Sequence, residues 1–160
     1  MSGNIGVSSQ YLTNLSSWCL KIQPQILPCD IFQSESQLAA DKSFIVNLQK
    51  SGLPGSHYVC ILIKSDKIYY FDSLAFPIVN SYIDTKLETF NKDIYVSTKA
   101  IQGADSVFCG MYCIAFLVIC HNRKKSFEEF LNMFSFDSPQ CYTKNEEECT
   151  RIIQSSLTLS

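Results

Sequence analysis

Apolar residues along this chain fall into a helical rhythm at some places and a strand-like one at others. Between Tyr11 and Leu20 they recur at Tyr11, Leu12, Leu15, Trp18 and Cys19, a spacing that predicts an N-terminal helix burying one stripe and leaving its serines outside. Pro24 and Pro28 then force extended chain, Gln37 to Lys42 reads as a short helical turn, and Ser43 to Leu48 reads as a strand. Gly52-Leu-Pro-Gly55 signals a loop. The β-rich runs His57 to Ile63 and Lys67 to Asp72, separated only by Lys64-Ser-Asp66, predict a hairpin of two core strands. In an antiparallel pair the start of the first strand lies beside the end of the second, so His57 and Asp72 are expected at the same end of the sheet.

Pro77 is expected to open an amphipathic helix with Ile78, Val79, Tyr82, Ile83 and Leu87 on one side, followed by a strand over Asp93 to Thr98. The segment Cys109 to about His121 is apolar nearly all round, which predicts a central helix buried against the sheet. Ser126-Phe-Glu-Glu129 matches a capping box, and Asn145 to Leu157 supports a last helix. No internal repeat or low-complexity segment interrupts this order.

Composition narrows the function classes. The 160 residues are expected to form one domain over 1–160, and 46% hydrophobic with 18% charged residues fits a soluble globular chain. A net charge of −2, with lysines and arginines scattered apart from Arg123-Lys-Lys125, offers no basic footprint, so nucleic acid is not an expected partner. The longest apolar run, Met111 to Cys120, is half the roughly 20 residues a membrane-crossing helix needs, and no membrane span is expected. There are eight cysteines, yet the N-terminus lacks the basic start and continuous apolar stretch of a secretory signal, so a reducing, intracellular compartment is expected. No Cys-x-x-Cys pair occurs, and neither structural zinc nor another cofactor is expected.

The candidate chemistry gathers at Gln102-Gly-Ala-Asp-Ser-Val-Phe-Cys109-Gly110-Met-Tyr-Cys113, where a polar loop delivers a cysteine onto the first turn of the apolar helix. Unsatisfied N–H groups and the positive end of the dipole at a helix N-terminus favour thiolate over thiol. By composition alone Cys109 could be a packing residue; its position between a polar loop and a glycine marks it as a nucleophile. Cys113, one turn along, and Cys120 read as core. His121 lies twelve positions after Cys109 on the same helix, about 18 Å away, too far to share its proton, which leaves His57 as the workable base. His57 also fits a strand-edge histidine and Asp72 a turn residue; paired, Asp72 would fix the imidazole tautomer. Gln102 fits a solvated loop residue, or an oxyanion donor alongside the Cys109 backbone N–H. Tyr58 could roof a cleft or pack in the core.

At these residues the chain resembles the adenovirus endopeptidase (adenain) family and, more broadly, the SUMO-protease-like cysteine peptidases, including adenain-type proteases of DNA viruses and of Maverick/Polinton elements. The order Gly-Ser-His57-Tyr, Tyr-Phe-Asp72-Ser-Leu, Ile-Gln102-Gly and Cys109-Gly110 matches theirs, and the resemblance covers residues 24 to 120. It implies an α+β fold with a mainly antiparallel central sheet flanked by helices and the nucleophile at the N-terminus of a buried helix. It implies His57 as base, Asp72 as orienter, Cys109 as nucleophile, Gln102 as oxyanion donor, and Tyr58 and Gly110 at the substrate cleft. The expected activity is endopeptidase cleavage after glycine at Gly-Gly or Gly-x-Gly sites of a protein substrate. The expected setting is the maturation of viral or virus-like precursors by a monomer in host cytoplasm, nucleus or virion. Processing of a ubiquitin-like modifier, or a non-catalytic binding module on the same fold, are the alternatives. Tyr58 stands where the family usually has tryptophan. Asn91, rather than a cysteine, lies in the region where the adenovirus enzyme links its activating peptide, so neither that peptide nor DNA is an expected cofactor.

Overall fold

A computed structural model describes residues 8–36, 40–53, 57–103, 106–136 and 141–158. The elements are α1 (Ser9–Cys19), β1 (Gln25–Pro28), α2 (Cys29–Ser34), β2 (Lys42–Asn47), β3 (Tyr58–Ile63), β4 (Lys67–Phe71), α3 (Ser81–Glu88), β5 (Asp93–Val96), α4 (Cys109–Leu117) with a π-helical turn over Val118–Asn122, α5 (Phe127–Leu131) and α6 (Cys141–Thr158). The fold is α+β. The five strands lie in chain order, β1-β2-β3-β4-β5. The centre is antiparallel as expected, β2 against β3 and β3 against β4, while β1 and β5 join the two edges in parallel.

Helices cover both faces, which is why β2, β3 and β4 read as continuous apolar runs rather than as alternating patterns. Ile45, Cys60, Leu62, Tyr69 and Phe71 face one core with α4, α1, α5 and α6. Phe44, Val46, Val59, Ile61, Ile63, Ile68 and Tyr70 face the other, with α2 and α3. In the first core Phe116 of α4 stacks on Phe71 at 5.1 Å and meets Phe127 and Phe130 edge-on at 5.2 and 5.4 Å. Burying such a ring is worth about 1.5–3 kcal/mol, so this cluster fixes where α4 lies on the sheet.

Three helices depart from the sequence reading in instructive ways. In α1 the buried stripe is Leu12, Leu15, Ser16 and Cys19, whereas Trp18 is 64% exposed and Tyr11 50%. Ser16 tolerates burial because its hydroxyl donates to Leu12 O at 2.7 Å. Pro77 does not open α3: the helix begins four residues later, where the Asn80 side chain accepts from the N–H groups of Tyr82 and Ile83 at 3.0 and 3.2 Å, and Val79 stays exposed. The last helix starts at Cys141, ahead of Asn145. Ser126 caps α5, its Oγ accepting from Glu129 N at 3.0 Å. Of the expected turn over Gln37 to Lys42, residues 37–39 lie outside the described residues, and Lys42 already belongs to β2. Among the described residues no helix is long and apolar enough to cross a membrane.

Candidate active site

The β3–β4 register, with Cys60 opposite Phe71, carries His57 and Asp72 to one end of the sheet, as the hairpin spacing predicts. His57 Nε2 lies 2.7 Å from Asp72 Oδ1. The carboxylate is itself held by Leu74 N, which donates to Oδ1 at 2.8 Å, and the Asp72 backbone N–H donates to Ser97 Oγ at 2.7 Å. With Nε2 taken by Asp72, Nδ1 is the ring nitrogen left to serve a nucleophile.

Cys109 is the first residue of α4, reached through Phe108 in the bridge region of backbone space at φ −86° and ψ 5°. Its Sγ accepts from Tyr58 N at 3.4 Å, from the Gly110 N–H, and shares a side-chain hydrogen bond with His57. Burial is the largest influence on this thiol and pushes its pKa up, but His57 and the two backbone N–H groups outweigh it, and the pKa stands below the usual thiol value. For His57, burial pulls the imidazole down, and Asp72 together with the Cys109 thiolate overcomes it and raises the pKa to about 9. Both directions favour a thiolate–imidazolium pair. Other thiols go the opposite way: burial lifts Cys19 to about 11 and Cys120 to about 12, and Cys60, Cys113 and Cys149 rise as well. Among the described residues no disulfide joins any of the cysteines, and no cluster of three or more His, Cys, Asp or Glu could hold a metal ion.

Gln102 is 4% exposed and sits on the loop between β5 and α4, of which residues 104 and 105 lie outside the described residues. Its Nε2 donates to Ser106 O at 2.9 Å and its Oε1 accepts from the Ser73 hydroxyl. Ser106 Oγ accepts from Phe108 N at 3.1 Å and donates to Glu146 Oε2 at 3.0 Å, tying the start of α4 to α6. Asn145, buried on α6, donates from Nδ2 to Ile101 O at 3.0 Å.

Tyr58 is half-buried against the α4-side core, its hydroxyl bonded to the Asn47 side chain and its backbone N–H turned to the thiol. Gly110, expected at the substrate cleft, is buried instead with its Cα toward α1: a Cβ there would stand 2.8 Å from Leu12 Cδ1. Its backbone N–H alone reaches the site. Sequence reasoning missed Ser73, Ser97, Ser106, Asn145 and Glu146, which hold the candidate residues. Short hydroxyl and amide side chains in loops follow no periodicity; the one local hint was that Ser73 directly follows Asp72.

No protein-family model and no curated protein sequence matches this chain. Among solved structures it is similar to ChlaDub1 from Chlamydia trachomatis, at 19% identity and a TM-score of 0.42 over 66% of this chain and 49% of that one. It therefore spans about half the length of ChlaDub1. It is also similar to an AvrA deletion variant solved with IP6 and CoA, at 14% identity and a TM-score of 0.46 over 91% of this chain and 69% of that one. The ASFV pS273R protease matches at 14% identity and a TM-score of 0.46, over 94% of this chain and 68% of that one. Similarity at this level leaves the chemistry to be read from the site itself.

Proposed function

We propose that this chain is a cysteine endopeptidase in which Cys109 is the nucleophile, His57 the general base and acid, Asp72 its orienter and Gln102 an oxyanion donor. One observation carries the reading: His57 joins the Asp72 carboxylate at 2.7 Å to a Cys109 thiol whose pKa is depressed despite burial. The thiolate attacks the scissile carbonyl carbon, and the developing oxyanion is held by Gln102 Nε2 and the Cys109 backbone N–H at the start of α4. The His57 imidazolium gives its proton to the leaving amine as the thioester forms. The neutral imidazole then takes a proton from water, which attacks the thioester, releases the acid product and restores the thiolate.

Cleavage after glycine, at Gly-Gly or Gly-x-Gly sites of viral or virus-like precursor proteins, follows the resemblance of residues 24 to 120. The test is digestion of peptide pools with and without such sites, alongside ubiquitin-like precursors, by wild type and Cys109→Ala. The expected result is cleavage confined to glycine-containing pools and lost in the variant. Cleavage of modifier precursors alone would replace the maturation role by processing of a ubiquitin-like modifier. A wild type that alkylates at Cys109 but cleaves nothing would refute the peptidase.

A further inference from the structure

We infer that Ser73 is the positioning residue that sets the Gln102 side-chain amide for oxyanion binding; this rests on the peptidase reading above. A glutamine amide can sit in either of two orientations, and only one presents N–H groups toward a developing negative charge. Here the carbonyl of Ser106 decides the choice and the Ser73 hydroxyl completes it. Ser106 O, a carbonyl that can only accept, faces one end of the amide at 2.9 Å, so that end must be Nε2. The other end is then Oε1, and the Ser73 hydroxyl is the donor to it. Nε2 carries two hydrogens and Ser106 O takes one, which leaves the second for the substrate oxygen.

The backbone fixes the same relation. Ile101 N and Gln102 N both donate to Ser73 O, at 2.9 and 3.1 Å, so the loop carrying Gln102 is docked on the residue that follows Asp72. Ser73 is 1% exposed and Gln102 4%, so water does not readily replace the hydroxyl if it is removed. The turn from Asp72 to Ala75, closed by Ala75 N donating to Asp72 O at 2.8 Å, therefore aims both the base and the oxyanion donor. Asp72 acts on His57 and Ser73 on Gln102.

Ser73→Ala removes one oxygen atom and keeps the backbone bonds to Ser73 O. The experiment measures kcat, KM and iodoacetamide alkylation of Cys109 for wild type, Ser73→Ala, Gln102→Ala and the double variant, on a peptide that wild type cleaves. Gln102→Ala should lower kcat about 100- to 1,000-fold, as loss of an oxyanion donor does. Ser73→Ala should lower kcat roughly fivefold to tenfold, the worth of one buried hydrogen bond, with KM and alkylation rate unchanged. The double variant should be no slower than Gln102→Ala, because the hydroxyl then has nothing left to orient. Equal losses from Ser73→Ala in both backgrounds would overturn the assignment while leaving the peptidase in place. So would an alkylation rate that falls with kcat, since Ser73 would then act through the thiolate pair. A wild type with a reactive thiol and no turnover overturns the peptidase reading, and the role of Ser73 with it.

Discussion

Replacing Asp72 by Asn keeps the side chain's shape and removes the charge that holds His57 protonated. Despite burial, the imidazole pKa stands at about 9 rather than 6.5. That difference corresponds to roughly 3 kcal/mol of preference for the imidazolium. At pH 7.5 an imidazole of pKa about 9 is almost wholly protonated, whereas one near 6.5 is only about one-tenth so. Alkylation of Cys109 at that pH should therefore fall about tenfold in Asp72→Asn, with the labelled residue identified by peptide mapping. Peptide turnover should fall further, on the order of a thousandfold, because an amide at Nε2 also permits the wrong tautomer. Stability carries the same signature. A folded pKa above the unfolded one stabilises fully below pH 6.5, and the contribution is lost as pH rises through about 9. Urea unfolding of wild type and Asp72→Asn should thus differ most near pH 6 and converge above pH 9. An alkylation rate unchanged by the substitution, or a wild-type profile with a single step at the free-thiol value of about 8.5, would refute the ion pair.

Gly110→Ala sets a Cβ 2.8 and 3.0 Å from the two terminal methyl carbons of buried Leu12. Crowding of about 1–3 kcal/mol, offset by roughly 1 kcal/mol of better helix propensity, predicts a net loss near 1 kcal/mol in urea unfolding. A stabilised variant would show that α1 yields freely. Trp18, the single tryptophan, is 64% exposed, so its fluorescence in the folded protein should be quenched by acrylamide nearly as fast as in the unfolded one. Strong protection would contradict the orientation of α1. Asn145→Ala removes the bonds that its Nδ2 donates to Ile101 O and Ser135 O and the bond accepted from Ser135 N at 2.9 Å. A loss of about 2–3 kcal/mol is expected, with faster amide exchange at Ser135; unchanged exchange there would rule out the side chain as its partner.

The parts of the site legible in the sequence are those that follow from regular geometry. The spacing of two strands about a three-residue turn places His57 beside Asp72, and the change from polar loop to all-round apolar helix locates Cys109. Two kinds of feature stayed hidden. The edge strand β1 is four residues, too short for a pattern of its own, and exists because β2 offers it an unpaired edge, whereas β5, expected over Asp93 to Thr98, forms and ends at Val96. The other kind is local competition between polar groups. Asn80 caps α3 in preference to Pro77, and Ser16 rather than Trp18 turns inward because its hydroxyl has a partner within the helix.

The strand order has a consequence for the newly made chain. Because the strands pair in the order in which they are synthesised, the sheet can assemble as it leaves the ribosome, with His57 and Asp72 already together. The nucleophile arrives later, at residue 109, and the loop bearing Gln102, docked on Ser73 through its backbone, gains a second brace when Asn145 and Glu146 of α6 dock on Ile101 and Ser106. On the peptidase reading, base and orienter are therefore in place before the nucleophile and the oxyanion loop join them.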